Sequence, residues 1–179
     1  MGLAVGDYDN DLDLDFYVPD MVNPSSLLQN QDGVFADVAK DAKVDLGTSS
    51  RLGWGTAFFD ADNDGWLDLY LATTEMIEKV AGYSEGMMFP HQNFFFRNNA
   101  DGTFSDNTPQ SWIDEPAPTL GVAYADYDRD GFVDFVQGNW SEGYKLYRNQ
   151  GVTDADYGWL RLELHGAGRL VTRRPRARV

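Results

Sequence analysis

The chain has 179 residues, 42% hydrophobic and 14% aromatic, with a formal net charge of −15 and no cysteine. That length and apolar content suit one domain, or one domain plus a short extra piece, with a sizeable core, and they argue against global disorder. Lacking cysteine, the chain has no zinc–thiolate centre, disulfide or thiol nucleophile, and its acidity argues against a nucleic-acid partner, which needs clustered Lys and Arg.

Met1-Gly2-Leu3 runs straight into a strand-like segment with no visible leader, so the chain reads as part of a longer protein or as one whose leader is missing. The first motif follows: Asp7-Tyr8-Asp9-Asn10-Asp11-Leu12-Asp13-Leu14-Asp15. It recurs as Asp60-Ala61-Asp62-Asn63-Asp64-Gly65-Trp66-Leu67-Asp68 and as Asp126-Tyr127-Asp128-Arg129-Asp130-Gly131-Phe132-Val133-Asp134. Each copy has carboxylates at positions 1, 3, 5 and 9. Position 6 is glycine in the second and third copies and Leu12 in the first. Glycine accepts the positive φ that a tight turn demands, so Leu12 must adopt a backbone conformation that glycine takes more easily.

Alternating aspartates in a tight loop aim several oxygens at one point, which suits a hard divalent cation such as calcium. The pattern follows an EF-hand for six positions and then departs from it. Position 12 is Val18, Leu71 or Gln137 rather than a bidentate Glu, and the flanks read as strands. Before the second and third loops stand Gly55-Thr56-Ala57-Phe58-Phe59 and Gly121-Val122-Ala123-Tyr124-Ala125; after the first two stand Phe16-Tyr17-Val18 and Leu69-Tyr70-Leu71, and Phe135-Val136 follows the third. Each loop is thus predicted to be the turn of a β-hairpin, with Asp15, Asp68 or Asp134 returning at the head of the second strand. Aspartates bonding their own backbone explain a single Asp-rich turn. They explain three copies poorly, because like charges about 4 Å apart repel by roughly 4 kcal/mol per pair at an effective dielectric near 20.

A second motif follows each loop: Leu27-Leu28-Gln29-Asn30-Gln31-Asp32-Gly33-Val34-Phe35, then Phe95-Phe96-Arg97-Asn98-Asn99-Ala100-Asp101-Gly102-Thr103-Phe104, then Leu146-Tyr147-Arg148-Asn149-Gln150-Gly151. The Asp-Gly pairs suit hairpin turns. Each repeat then reads as four short antiparallel strands, the composition of a propeller blade. The predicted layout is blade one over 1–50, blade two over 51–115 with an insertion at 73–92, an incomplete blade three over 116–156, and a separate piece from 157 to 179.

The insertion holds Gly82-Tyr83-Ser84-Glu85-Gly86, the G-x-S-x-G pattern of a nucleophile elbow. That motif needs a strand before it and a helix after it. With Pro90 close behind and no strand-like lead-in, a glycine-rich excursion is the better reading. Met87-Met88-Phe89-Pro90 reads either as an exposed apolar lip for a partner or as a segment folded back on the blade. His91 and His165 lack companions at metal or triad spacing. Asn139-Trp140-Ser141 matches the glycosylation sequon, though a strand-end turn is the favoured role. Beyond Gln150, Tyr157 to Leu164 alternates like a new strand, and six of the 14 Lys and Arg fall between Arg161 and Arg178. That basic stretch is read as a truncated end or as pairing with the acidic body. No apolar run is long enough to span a membrane.

The loops and the Arg-Asn-Asn-x-Asp-Gly-Thr-Phe turn together resemble FG-GAP-like (VCBS-type) repeats, the blades of integrin-α-like β-propellers, over about residues 1 to 150. The strand from Trp159 to Leu164 is similar to the start of the ASPIC/UnbV domain that follows such repeats in cartilage-acidic-protein-like proteins. The Ser-Asn-Arg-Asp stretch expected after Gly166 is missing, so that domain would be truncated or altered.

The resemblance implies an all-β, open partial propeller of about three four-stranded blades, exported or at a cell surface, binding about three calcium ions structurally. It implies side-chain ligands Asp7, Asp9, Asp11 and Asp15; Asp60, Asp62, Asp64 and Asp68; and Asp126, Asp128, Asp130 and Asp134. The carbonyls of Asp13, Trp66 and Phe132 would complete the shells. The expected role is a non-enzymatic interaction or adhesion scaffold for a protein or glycan ligand at the propeller surface. The alternative is a domain of an exported carbohydrate-active or hydrolytic enzyme; a calcium buffer is disfavoured by the β context.

Overall fold

The computed structural model describes residues 2–20, 23–45, 52–77, 87–108, 116–140, 143–153 and 160–167. Its described residues form thirteen strands and no helix. The first sheet runs β1 (Ala4–Gly6), β2 (Asp15–Val18), β3 (Ser26–Gln31) and β4 (Val34–Asp37), each antiparallel to the next. The second runs β5 (Leu52–Phe59), β6 (Asp68–Ile77), β8 (Phe94–Asn98) and β9 (Phe104–Asp106), with β7 (Met87–Pro90) paired beside β6. The third runs β10 (Thr119–Ala125), β11 (Asp134–Asn139), β12 (Lys145–Thr153) and β13 (Leu160–Ala167). This is an all-β, open arc of three blades.

The first strands of successive blades approach closely. The Gly2 amide donates to the Trp54 carbonyl at 2.7 Å. A Cβ added to Gly55 would lie 2.9 Å from the Val122 nitrogen. Gly2, Gly55 and Gly121 stand at the same place in each repeat, five residues before the loop. The approach of one blade's backbone to the next requires the missing side chain at the first two.

Two cores lie between the blades, and consecutive residues of one strand serve different ones. In β5, Phe58 packs with Tyr8, Tyr17, Leu27 and Phe104 against the first blade, whereas Ala57 and Phe59 pack with Tyr70, Phe135 and Tyr147 against the third. Tyr8 stacks on Phe58 and Phe104 with centroids 6.3 and 5.6 Å apart. Its equivalent in the third repeat, Tyr127, is 46% exposed, against 2% for Tyr8. The outer face of the third blade, including Ala123 and Ala125, is open to solvent, and so are Leu3, Val5, Leu14 and Phe35 on the opposite face of the first.

Two expectations are corrected. The third repeat does not lack a fourth strand: β13, over the stretch assigned to a separate piece starting at 157, pairs antiparallel with β12 from Lys145↔Ala167 to Thr153↔Leu160. Its place in the third blade was missed because β12 runs on past Asn149, with register shifts, to Thr153. The 73–92 insertion also begins as strand, and of the two readings of Met87 to Pro90 the one folded back on the blade is observed. Thr73 to Ile77 continue β6, and β7 pairs back along it from Thr74↔Pro90 to Ile77↔Met87. Gly82-Tyr83-Ser84-Glu85-Gly86 and the stretch from 168 to 179 lie outside the described residues, as do the side chains of Met87 to Pro90 and His165.

Candidate metal centres

Each aspartate loop joins the first two strands of its blade, as β1–β2, β5–β6 and β10–β11. All three loops fold alike. Position 1 accepts two backbone amides: Asp7 from Asp11 and Leu12, Asp60 from Asp64 and Gly65, and Asp126 from Asp130 and Gly131, at 2.9–3.1 Å. The position-5 carboxylates of Asp11, Asp64 and Asp130 accept the amides of Asp13, Trp66 and Phe132. Positions 4 and 6 are left-handed in every copy. Asn10, Asn63 and Arg129 have φ of 58°, 58° and 62°, while Leu12, Gly65 and Gly131 have 76°, 88° and 95°. Leu12 therefore adopts the glycine conformation, which costs an L-residue about 1–2 kcal/mol. It does so with its side chain 92% exposed.

Position 9 is buried and doubly held. Asp15, Asp68 and Asp134 each accept the position-2 amide, from Tyr8, Ala61 and Tyr127, at 3.1–3.2 Å. Each also accepts the amide of the turn asparagine, Asn30, Asn98 or Asn149, at 2.8 Å. Burial pushes Asp15 up to about 6 and Asp68 up to about 8, with the charges of Asp9 and of Asp62 adding, respectively. Asp134 and Asp62 are raised too, chiefly by burial.

The turn asparagines also clasp blade to blade. Asn98 Nδ2 donates to the carbonyl of Tyr8 in the previous loop at 2.8 Å, and Asn149 Nδ2 to that of Ala61 at 2.7 Å. In the other direction, Asn10 Nδ2 donates to the Gly65 carbonyl and Asn63 Nδ2 to that of Gly131. The two recurring motifs are thus parts of one junction.

Three groups of carboxylates converge: Asp7, Asp9 and Asp15; Asp60, Asp62 and Asp64; Asp126, Asp128 and Asp134, with ligand oxygens within 4.8 Å of one another. Of the other expected ligands, Asp11 and Asp130 are engaged by loop amides as above, and buried Asp68 accepts the amides of Ala61 and Asn98. Asp13, expected to offer its carbonyl, accepts the Asp32 amide on its carboxylate at 2.8 Å. Trp66 and Phe132 enter the loops through their N–H groups.

Sequence reading missed the residue before each turn asparagine. Gln29 Nε2 bonds Asp9 at 2.5 Å; Arg97 bonds Asp62 at 2.6 Å and Asp64 at 3.3 Å; Arg148 bonds Asp128 and Asp130, both at 2.6 Å. Its fixed place before Asn30, Asn98 and Asn149 was the available signal. Each takes one oxygen of the position-3 carboxylate. The other oxygens of Asp9 and Asp62, both Oδ1, are buried with no hydrogen-bond partner among the described residues. A buried carboxylate oxygen left unpaired is costly, and an all-oxygen cluster of this kind fits calcium rather than a thiolate- or imidazole-preferring metal.

The chain shows similarity to known proteins at the level of the repeat. The FG-GAP-like repeat family model matches residues 81–137, from the insertion through the third loop into β11. Cartilage acidic protein 1 of Homo sapiens is 48% identical over 56 residues, covering 31% of this chain and 8% of that protein. The proteins of the same name from Mus musculus and Xenopus tropicalis are 46% and 45% identical over 56 residues, covering 31% of this chain and 9% of each. The chain therefore spans less than a tenth of the length of these relatives.

Proposed function

We propose, with the FG-GAP-like repeat matched over 81–137 as premise, that the chain is a calcium-stabilised propeller module. It serves as a non-enzymatic interaction or adhesion scaffold outside the cytoplasm, whether extracellular, periplasmic or at a cell surface. Each aspartate loop holds one calcium ion, about three in all, and a protein or glycan ligand binds the blade surface. The observation that carries the metal assignment is Asp62 Oδ1, a buried carboxylate oxygen without a partner beside Asp60 and Asp64. The ion supplies a positive charge to that oxygen and cancels the repulsion within the cluster. Asp60, Asp62 and Asp64 would hold it in the second loop, with Asp68 and the Trp66 carbonyl completing the shell implied by the resemblance.

Titration calorimetry with calcium, paired with thermal melts in calcium and in EDTA, tests this reading. Each site exposed to calcium at ten times its Kd adds about 1.4 kcal/mol. Three such sites raise the melting temperature by roughly 10 °C at the 2–4 °C per kcal/mol usual for this chain length. Absent calcium heat together with an unchanged melt rejects the calcium assignment.

A further inference from the structure

We infer that the residue preceding each turn asparagine sets the calcium affinity of its loop, so that the first loop, which carries Gln29, binds more tightly than the two that carry Arg97 and Arg148. This rests on the calcium reading above and deepens it. The three side chains are structurally equivalent, each reaching the position-3 carboxylate of its own loop. Their charges differ. A guanidinium stands within hydrogen-bond distance of two ligand carboxylates in the second and third loops, whereas the first has a neutral amide and a fifth carboxylate, Asp13.

A fixed positive charge that close repels an incoming divalent cation and uses acceptor capacity the cation would otherwise take. The clusters have more than acidity in their favour. The Asp62 side chain is only 7% exposed, and its Oδ1, inside the cluster, has no hydrogen-bond partner even with Arg97 on Oδ2. The equivalent Oδ1 of Asp9 is likewise buried and unpartnered beside Gln29. Leu12 does not offset the difference, because it takes the same left-handed backbone and the same bond to the position-1 carboxylate as Gly65 and Gly131, so the three loops present the same geometry.

Calcium titration by calorimetry of the intact chain tests the inference with Arg97→Gln, Arg148→Gln, Gln29→Arg and the charge-preserving Arg97→Lys. Expected are one tight and two weaker sites in the parent. Each Arg→Gln change should tighten one weak site at least about tenfold, the effect of one nearby charge on a divalent cation even at a water-like effective dielectric. Gln29→Arg should weaken the tight site by a similar factor, and Arg97→Lys should change little. Three equal sites, with affinities indifferent to these changes, would overturn the inference while leaving the calcium reading intact. A parent that takes up no calcium would overturn both. Should an Arg→Gln variant fail to fold, the site heterogeneity of the parent and the effect of Gln29→Arg still decide.

Discussion

The side-chain amide of Asn98 donates to the carbonyl of Tyr8 at 2.8 Å, joining residues ninety positions apart. The Tyr8 amide is bound to Asp15 of the first loop, and the Asn98 amide to Asp68 of the second. One asparagine therefore connects the buried carboxylates of two loops. Asn149 repeats the connection between Ala61 and Asp134. Asn98 also donates to the Leu67 carbonyl and accepts the Ala100 amide.

Asn98→Ala is expected to destabilise the fold by about 2–3 kcal/mol, because it strands the Tyr8 and Leu67 carbonyls in a buried place. Asn149→Ala should cost about as much, since Ala61 and Val133 would lose the same donor. Among the described residues, Asn30 Nδ2 reaches only the Leu14 carbonyl, at 3.4 Å, so Asn30→Ala should cost less than about 1 kcal/mol. Urea denaturation of the three variants in calcium reads this order; equal losses at all three would contradict the blade-to-blade role.

Stability without calcium is expected to fall as pH rises from about 4 to about 8. Asp15 and Asp68, raised to about 6 and about 8 from 3.8, keep their protons in the folded chain after the unfolded chain has released them. Their favourable contribution is complete below the unfolded value and is lost as pH rises through the folded ones. Calcium favours the charged forms, so its affinity should climb over the same interval. Urea midpoints at pH 5 and pH 8, in EDTA and in calcium, check both slopes.

Leu12→Gly should stabilise the chain by about 0.5–1 kcal/mol. It removes the left-handed penalty of about 1–2 kcal/mol and loses part of that gain to the greater freedom of glycine when unfolded. Almost no packing is sacrificed at a side chain 92% exposed. The reverse change, Gly65→Leu, should cost about 1 kcal/mol or more. Opposite shifts in melting temperature are the expected result.

Tyr8→Ala should cost about 3–5 kcal/mol, the usual range for emptying a large aromatic site, because Phe58 and Phe104 stack on it. Tyr127→Ala, at the same place in the third repeat but 46% exposed, should cost about 1 kcal/mol or less. Denaturant midpoints of the two variants would reveal the asymmetry; equal costs would mean that the third blade's outer face is covered.

The loops were legible because their chemistry is local. Spacing of aspartates and a glycine at position 6 dictate a hairpin turn without reference to the rest of the chain, and even Leu12 follows. The Asp32-Gly33 turn was legible for the same reason, and both residues have positive φ. What depends on distant partners was not. Nothing near Asn98 announces that its amide ends on Tyr8, and nothing near Gln29, Arg97 or Arg148 names the carboxylate each will bind. The strand from Leu160 to Ala167 was visible as a strand, but its allegiance rests on a register with β12 that two irregularities disguise. The extension of β6 to Ile77 was obscured because its end, Glu75 to Ile77, gains a partner only when β7 returns.

Phe58 and Phe59 are neighbours in one strand, yet they sit in separate cores on either side of the second blade. A frameshift of a single position along β5 would hand each ring to the wrong neighbour and empty both interiors at once. Point changes there are a local matter. Insertion or deletion of one residue between Thr56 and Phe59, where β5 pairs with β6 without a bulge, is not.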